Sequence, residues 1–330
     1  MSKILQVAVG VIKNAAGDIL ISLRDPALHQ GGLWEFPGGK IEAGETPRLA
    51  LSRELNEELG IQVVAATPLI KLKHNYPDRH VELHVFWVGQ FTGDAISTTG
   101  QACLWVSPPN LANYAFPAAN RAIITAAQLP PFYAILDDAE LPTLLANFRQ
   151  LLAHGNKLIQ LRLKNRSYPE VEHFLTVARP LARDYQAKLL INSGVSHAAQ
   201  FKLDGLHLSS THLLALSQRP APPSGIAERD YWLAASCHNA DELAHAQAIG
   251  VDFAVLAPVQ ATLTHPDATP LGWERFRQLV ADATLPVYAL GGLNRDDLAT
   301  AQQAGGQGIA AIRAFLTPPK TCVQPQKPRV

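Results

Sequence analysis

Short apolar runs bounded by polar turns set the pattern of this chain. In its first part such runs lie at residues 5–12, 18–23, 81–88 and 103–106, with turn residues at 14–17 and 92–94, and they predict strands. A longer stretch at 47–59 repeats apolar residues at helical spacing, and a second helical pattern at 119–127 ends at the sequence QLPP. Proline cannot continue a helix and restricts the residue before it, so a boundary is expected there. Mixed strands around one strong helix predict an α+β unit over residues 1–128, with 129–131 as a linker. Beyond it the pattern changes. Eight apolar runs, at 132–136, 158–161, 188–191, 205–208, 231–235, 252–256, 287–290 and 308–312, alternate with helical stretches and lack strict period-two patterning. Strands buried on both faces read this way, so an α/β unit, a closed (β/α)8 TIM barrel, is expected over 132–316. The proline-rich residues 317–330 read as a flexible tail.

Composition narrows the partners. The chain of 330 residues carries no net charge, and only 17% of its residues are charged, so no long-range field is expected to hold a nucleic-acid polymer or an anionic membrane. A small anion needs only local charge. Cys103, Cys237 and Cys322 are odd in number and far apart, which argues against a disulfide framework and a thiolate zinc site and fits a reducing cytoplasm. The apolar opening run is short and interrupted by Gln6. It reads as a strand rather than a signal peptide, and no membrane span is expected.

The segment GKIEAGETPRLALSRELNEELGI, residues 39–61, carries the sharpest chemistry. Thr46 is a plausible N-cap, Pro47 suits a first turn and Gly60 a C-terminal stop. On this helix Glu54, Glu57 and Glu58 are spaced i, i+3, i+4 and crowd one face, while Leu51, Leu55 and Leu59 form the stripe that seats it. Carboxylates so placed repel unless a cation neutralises them. Oxygen-only ligands point to Mg2+, with Mn2+ as the alternative, and to a metal that bridges to substrate phosphates. One carboxylate could then act as base for a water attacking phosphorus. Arg53, four residues before Glu57, is expected to hold a carboxylate in bidentate fashion. Glutamate-rich helices are mostly solvated surfaces. Here, though, G, five residues, E, seven residues and RELxEExGI appear without a mismatch, and seven fixed positions at roughly one in fifteen each match by chance about once in 10⁸ windows.

This is the Nudix box, and residues 1–128 resemble the MutT-like Nudix hydrolases through AVGVI at 8–12, WEFPGGKIEAGETP at 34–47, YPDRH at 76–80 and FPAAN at 116–120. The resemblance implies hydrolysis of 8-oxo-dGTP to the monophosphate and diphosphate. It implies Glu54 as general base or metal ligand, Glu57 and Glu58 as metal ligands, and the carbonyl of Gly38 as a further ligand, with Arg53 in the catalytic group. Arg24 and His29 would contact phosphates or sugar, Glu35, Phe36, Pro37 and Arg79 would line the nucleotide pocket, and Asn120 would read the oxidised purine edge. An amide suits that task because it offers donor and acceptor together, although Asn120 could equally be a helix N-cap. Thr99 stands where the family has a distant metal-binding glutamate.

In the second part, polar residues appear at strand ends: Arg162 and Lys164 in QLRLK, Asn192, His207, His238, and Gly291 and Gly292 in ALGGL, joined by Thr262 and Thr264. Barrel sites form at the C-terminal ends of strands, and glycines after the seventh strand make a common phosphate site. His207 could equally be a satisfied core histidine. Together these residues resemble the thiamine phosphate synthase and TenI family. That resemblance implies phosphate held by Arg162, Lys164, Gly291 and Gly292, a thiazole near His238, and a thiazole phosphate as ligand. The synthase's metal-binding aspartates fall at Ser193 and His212, and its lysine after T-x-T at His265. A diphosphate leaving group needs cationic stabilisation, so a metal-free acid/base role for His238, or a ligand-sensing barrel, fits the second part better than synthesis. The expectation for the whole chain is a small-molecule nucleotide hydrolase fused to such a barrel. The alternatives are a thiamine-pathway enzyme and a Nudix hydrolase for another nucleoside diphosphate derivative.

Overall fold

The computed structural model describes residues 4–27, 30–76, 79–262 and 268–318. Among the candidates above, His29, Thr264, His265 and nearly all of the tail lie outside the described residues.

The first part is built on β1 (Leu5–Ile12), β2 (Ile19–Leu23), β3 (Trp34–Glu35), β4 (Gly38–Lys40), α1 (Pro47–Leu59), β5 (Gln62–Asn75), β6 (His80–Thr92), β7 (Cys103–Val106) and α2 (Asn120–Gln128). One sheet has the order β4-β1-β6-β5, with β1 parallel to β6, and a second has the order β3-β2-β7. Alternation along β1 splits the core in two. Ala8 and Ile12 pack with Leu51, Leu55 and Leu59 of α1, whereas Val9 and Val11 pack with Phe36 and with Ile123 and Ala126 of α2. The three leucines are at most 2% exposed, and burying each contributes about 1.5–3 kcal/mol. Both ends of α1 follow the sequence reading. Thr46 Oγ1 accepts from the Leu49 N–H at 3.3 Å, and Gly60 closes the helix at φ 67°.

Three strands escaped the reading, the short β3 and β4 and the long β5. β5 is 14 residues long and pairs antiparallel with β6, but register shifts at 63/65, 65/66 and 68/70 break its alternation and Pro68 sits in its middle. Bulges and an internal proline erase the period-two signal while leaving the pairing intact.

The second part closes into a parallel barrel of β8 (Phe132–Asp137), β9 (Leu158–Arg162), β10 (Lys188–Asn192), β11 (Gly205–Leu208), β12 (Trp232–Cys237), β13 (Phe253–Leu256), β14 (Val287–Leu290) and β15 (Gly308–Ala311). Its interior is filled by Tyr133, Leu158, Leu190, Ala234, Phe253, Val255, Tyr288 and Ala310, a packed core rather than a pore. Outside run α3 (Leu141–Ala153), α4 (Tyr168–Asp184), α5 (Val195–Ala198), α6 (Ser210–Leu214), α7 (Ala240–Ala248), α8 (Gly272–Val280) and α9 (Leu298–Gln303). No helix among the described residues is long and apolar enough to cross a membrane.

Candidate active site on the acidic helix and the barrel rim

The acidic face of α1 lies against the turn between β3 and β4. Gly38 has φ 149°, and a Cβ there would stand 2.1 Å from the Ala8 carbonyl oxygen. At Gly39 a Cβ would stand 2.1 Å from the Glu54 carboxyl carbon. Only glycines let the turn pass this close beneath the carboxylate. Glu58 Oε2 accepts from the Gly38 N–H at 3.3 Å. Burial, then the neighbouring Glu35, push the Glu58 carboxyl up to about 7, with Glu54 adding to the effect. Burial also raises Glu35, against the lowering influence of Arg24, with which it is paired.

Arg53 organises this face differently from the sequence expectation. Its two-pronged contact goes to Glu45, with Nε to Oε1 at 2.8 Å and Nη2 to Oε2 at 3.0 Å. Its Nη1 makes single contacts with Glu54 Oε1 at 2.9 Å and Glu57 Oε2 at 3.2 Å. Nη2 also ties the Lys40 carbonyl at 3.0 Å. The hydrogen bonds from Arg53 hold Glu45 down at about 2, and those to Glu45 and Glu54 raise the guanidinium in turn. Glu54 Oε2 is left without a hydrogen bond among the described residues. Glu57 is the outlier of the triplet, with its side chain 59% exposed. The loop bearing Thr99 caps the end of the helix, the Thr98 N–H donating to the Glu58 carbonyl at 2.8 Å. Thr99 itself is exposed and meets Ser97 at 3.3 Å.

Beside the carboxylates is an aromatic wall. Phe36 stacks on Phe116 with centroids 5.4 Å apart, and Trp34 meets Tyr114 edge-on at 5.4 Å. Asn120 opens α2 as its first helical residue, since Ala119 takes the cap position. The N-cap alternative is thereby replaced. Asn120 is 8% exposed, and its amide has no hydrogen bond among the described residues. Arg79 sits exposed at the tip of the β5–β6 hairpin, its carbonyl accepting from the Tyr76 N–H at 2.9 Å. Pro37 lies in the same turn as Phe36 and its carbonyl accepts from the Gly10 N–H at 2.8 Å.

At the barrel rim the candidates separate. Gly291, Gly292 and Thr262 line one cavity of about 280 Å³, together with Arg313. A Cβ on Gly292 would stand 2.5 Å from the Ala261 carbonyl oxygen. Arg162 is paired with Asp137 at 2.6 Å, from adjacent strand ends. Lys164 is exposed and Asn192 half-buried. His238 Nδ1 lies 2.9 Å from Glu242 Oε2, which also accepts from the His238 N–H. His207 belongs to the core. It is fully buried between Tyr133 Oη at 3.1 Å and Ser236 Oγ at 2.8 Å, and burial holds its imidazole down at about 3. Sequence reading gave no role to Glu242 and Arg313, and it counted Glu45 in the box without giving it a partner. The i, i+4 spacing of His238 and Glu242 was a usable signal, and Glu45 and Arg53 are both fixed positions of the box, although their spacing across a turn and a helix does not name them as a pair.

The first of these sites, with its crowded carboxylates beside an aromatic wall, defines a hydrolase acting on phosphorus anhydrides. Residues 8–126 match the NUDIX domain family and residues 132–315 match thiamine monophosphate synthase. Over 122 residues the chain is 42% identical to the 8-oxo-dGTP diphosphatase of Escherichia coli, covering 37% of this chain and 95% of that protein. The CTP pyrophosphohydrolase of the same organism is 35% identical over 38% of this chain and 91% of its own length. A thiamine-phosphate synthase of Herpetosiphon aurantiacus is 31% identical over 56% of this chain and 87% of its own length. The chain belongs to the NUDIX family through its first part and to the thiamine monophosphate synthase family through its second.

Proposed function

We propose that this protein hydrolyses 8-oxo-dGTP to 8-oxo-dGMP and diphosphate with Mg2+, Mn2+ being the alternative metal, and so removes an oxidised purine from the nucleotide pool. In this reading residues 1–128 form the hydrolase, 132–316 the barrel and 129–131 the joint. The observation that carries the substrate assignment is Asn120, a residue 8% exposed whose amide makes no hydrogen bond among the described residues, on the helix that shares its core with the stacked Phe36. A purine edge that gives and accepts hydrogen bonds would satisfy it.

The residues fit a hard divalent cation. Glu58 and Glu54 offer oxygen donors that repel each other without one, Glu57 stands on the same helix, and Gly38 lies in the turn whose N–H meets Glu58. Among the described residues no three acidic or imidazole side chains converge on one point; Mg2+ is typically held by one or two carboxylates together with waters and substrate oxygens. When bound, Mg2+ supplies charge stabilisation to the phosphoryl oxygens. Arg53 fixes Glu54 through Oε1, leaving Oε2 to take the proton of the attacking water. Glu35 and Arg24 flank the phosphate path, and Phe36 and Phe116 exclude water from the base. Asn120→Ala tests the assignment: the preference for 8-oxo-dGTP over dGTP should collapse toward one, with kcat on dGTP kept. A retained preference would remove Asn120 from base reading.

For the barrel we infer a thiamine-pathway role, as binder of a thiazole phosphate at the cavity formed by Gly291, Gly292 and Thr262. Ser193 and His212 do not supply the carboxylates that a metal-bound diphosphate needs, so bond formation by loss of diphosphate is not assigned to it. The His238–Glu242 pair is suited to moving a proton without metal.

A further inference from the structure

The two parts of the chain meet at the end of the barrel opposite its ligand cavity. Gly291 and Gly292 follow the C-terminal end of β14, whereas Gln307 and Pro131 precede the starts of β15 and β8. Here α2 is anchored. Its last turn leaves carbonyls without helical partners, and the buried Gln307 donates through Nε2 to the Ala126 carbonyl at 3.0 Å and the Leu129 carbonyl at 3.2 Å. Leu129 itself is 5% exposed and joins the core inside the barrel, with Tyr133, Phe253 and Tyr288. Tyr288 Oη donates to the Pro130 carbonyl, and the Ile309 N–H donates to that of Pro131 at 3.0 Å. At the other end of the same helix, about 13 Å away at 1.5 Å per residue, stands Asn120. Two ion pairs brace the sides, Lys73 with Asp282 at 2.7 Å and Arg121 with Asp252 at 3.9 Å.

We propose that the barrel floor is a working part of the hydrolase: Gln307 and Tyr288, by pinning the C-terminal end of α2, position Asn120 and set base selectivity. Gln307 is a positioning residue, since it touches neither base nor phosphate. The joint at 129–131 is thus a rigid continuation of α2 into the barrel. The barrel's cavity lies at the end opposite this joint, so the device transmits rigidity and does not require the two ligands to meet. This inference rests on the proposed reading of Asn120.

The test uses the full chain with Mg2+. Gln307→Leu keeps the volume at a buried site and removes the donor. The account expects KM for 8-oxo-dGTP to rise roughly five- to twentyfold, with kcat for it and both constants for dGTP within about threefold. A purely structural role for Gln307 would instead lower the active fraction and reduce kcat equally for both nucleotides. That equal fall, or an unchanged ratio of kcat/KM, overturns the proposal. Tyr288→Phe keeps the ring in the barrel core and removes only the hydroxyl; it should move the ratio in the same direction, and it decides the matter where Gln307→Leu does not fold. If the unaltered chain shows no preference for 8-oxo-dGTP, the substrate assignment falls separately. The two variants are then judged on KM for the purine triphosphate it hydrolyses best.

Discussion

The two ends of this molecule treat charge in opposite ways. On α1, Glu54 and Glu58 crowd a glycine turn, and burial beside Glu35 pushes the Glu58 carboxyl up to about 7. On the barrel rim the polar groups answer one another: Arg162 pairs with Asp137, and His238 lies 2.9 Å from Glu242. The hydrolase face stores a demand for a cation that its own residues leave unmet, and the barrel face does not. A site for phosphoryl transfer needs that imbalance, whereas a site that only binds a phosphate can do so with backbone N–H groups at a glycine turn.

The comparison breaks most directly at Glu54. Glu54→Gln should lower kcat about 10²–10⁴-fold with KM little changed, read by diphosphate release, and a loss below tenfold would mean that Glu54 is not the base. Arg53→Lys comes next. It keeps the charge but cannot reach Glu45, Glu54 and Lys40 together, so kcat should fall about 10–100-fold in the same assay. On the barrel side, Gly292→Ala should weaken thiazole phosphate binding about tenfold by calorimetry, since its Cβ meets the Ala261 carbonyl. Hydrolysis should stay as it was, and a loss there would show that the two faces are not independent in this direction. The smallest effect concerns stability. The unfolded His207 takes up a proton near 6.5 while the buried one resists until about 3. The unfolded state thus binds more protons in that window, and stability falls as pH drops through it, by at most about 1.4 kcal/mol per pH unit. His207→Gln should flatten that part of the melting profile relative to the unaltered chain, and identical profiles would contradict the assignment.

Much of both architectures was legible in the sequence for local reasons. The cap, stop and leucine stripe of α1 are encoded within fifteen residues, and so were found at their observed positions. Barrel strands such as Gly205–Leu208 and Val287–Leu290 are short apolar runs between polar ends and were equally plain. β5 was missed because bulges and Pro68 scramble its alternation, and its strand character comes from pairing with β6. In the site, the carboxylate triplet was read from helical spacing, but the spacing could not show that Glu57 turns outward while Glu58 turns in. Nor could it show the reach of Arg53 to Glu45, or the grip of Gln307 on α2 across 181 positions of sequence. Contacts of that kind exist only once the fold has brought distant segments together.

The central claim is that the first part of the chain selects an oxidised purine triphosphate. It is tested most directly by kcat/KM of the intact protein with Mg2+ for 8-oxo-dGTP and for dGTP. The account predicts a preference of roughly 10²-fold or more for 8-oxo-dGTP, the size expected when a buried polar group is satisfied by one substrate and stranded by the other. Equal values for the two nucleotides would contradict it.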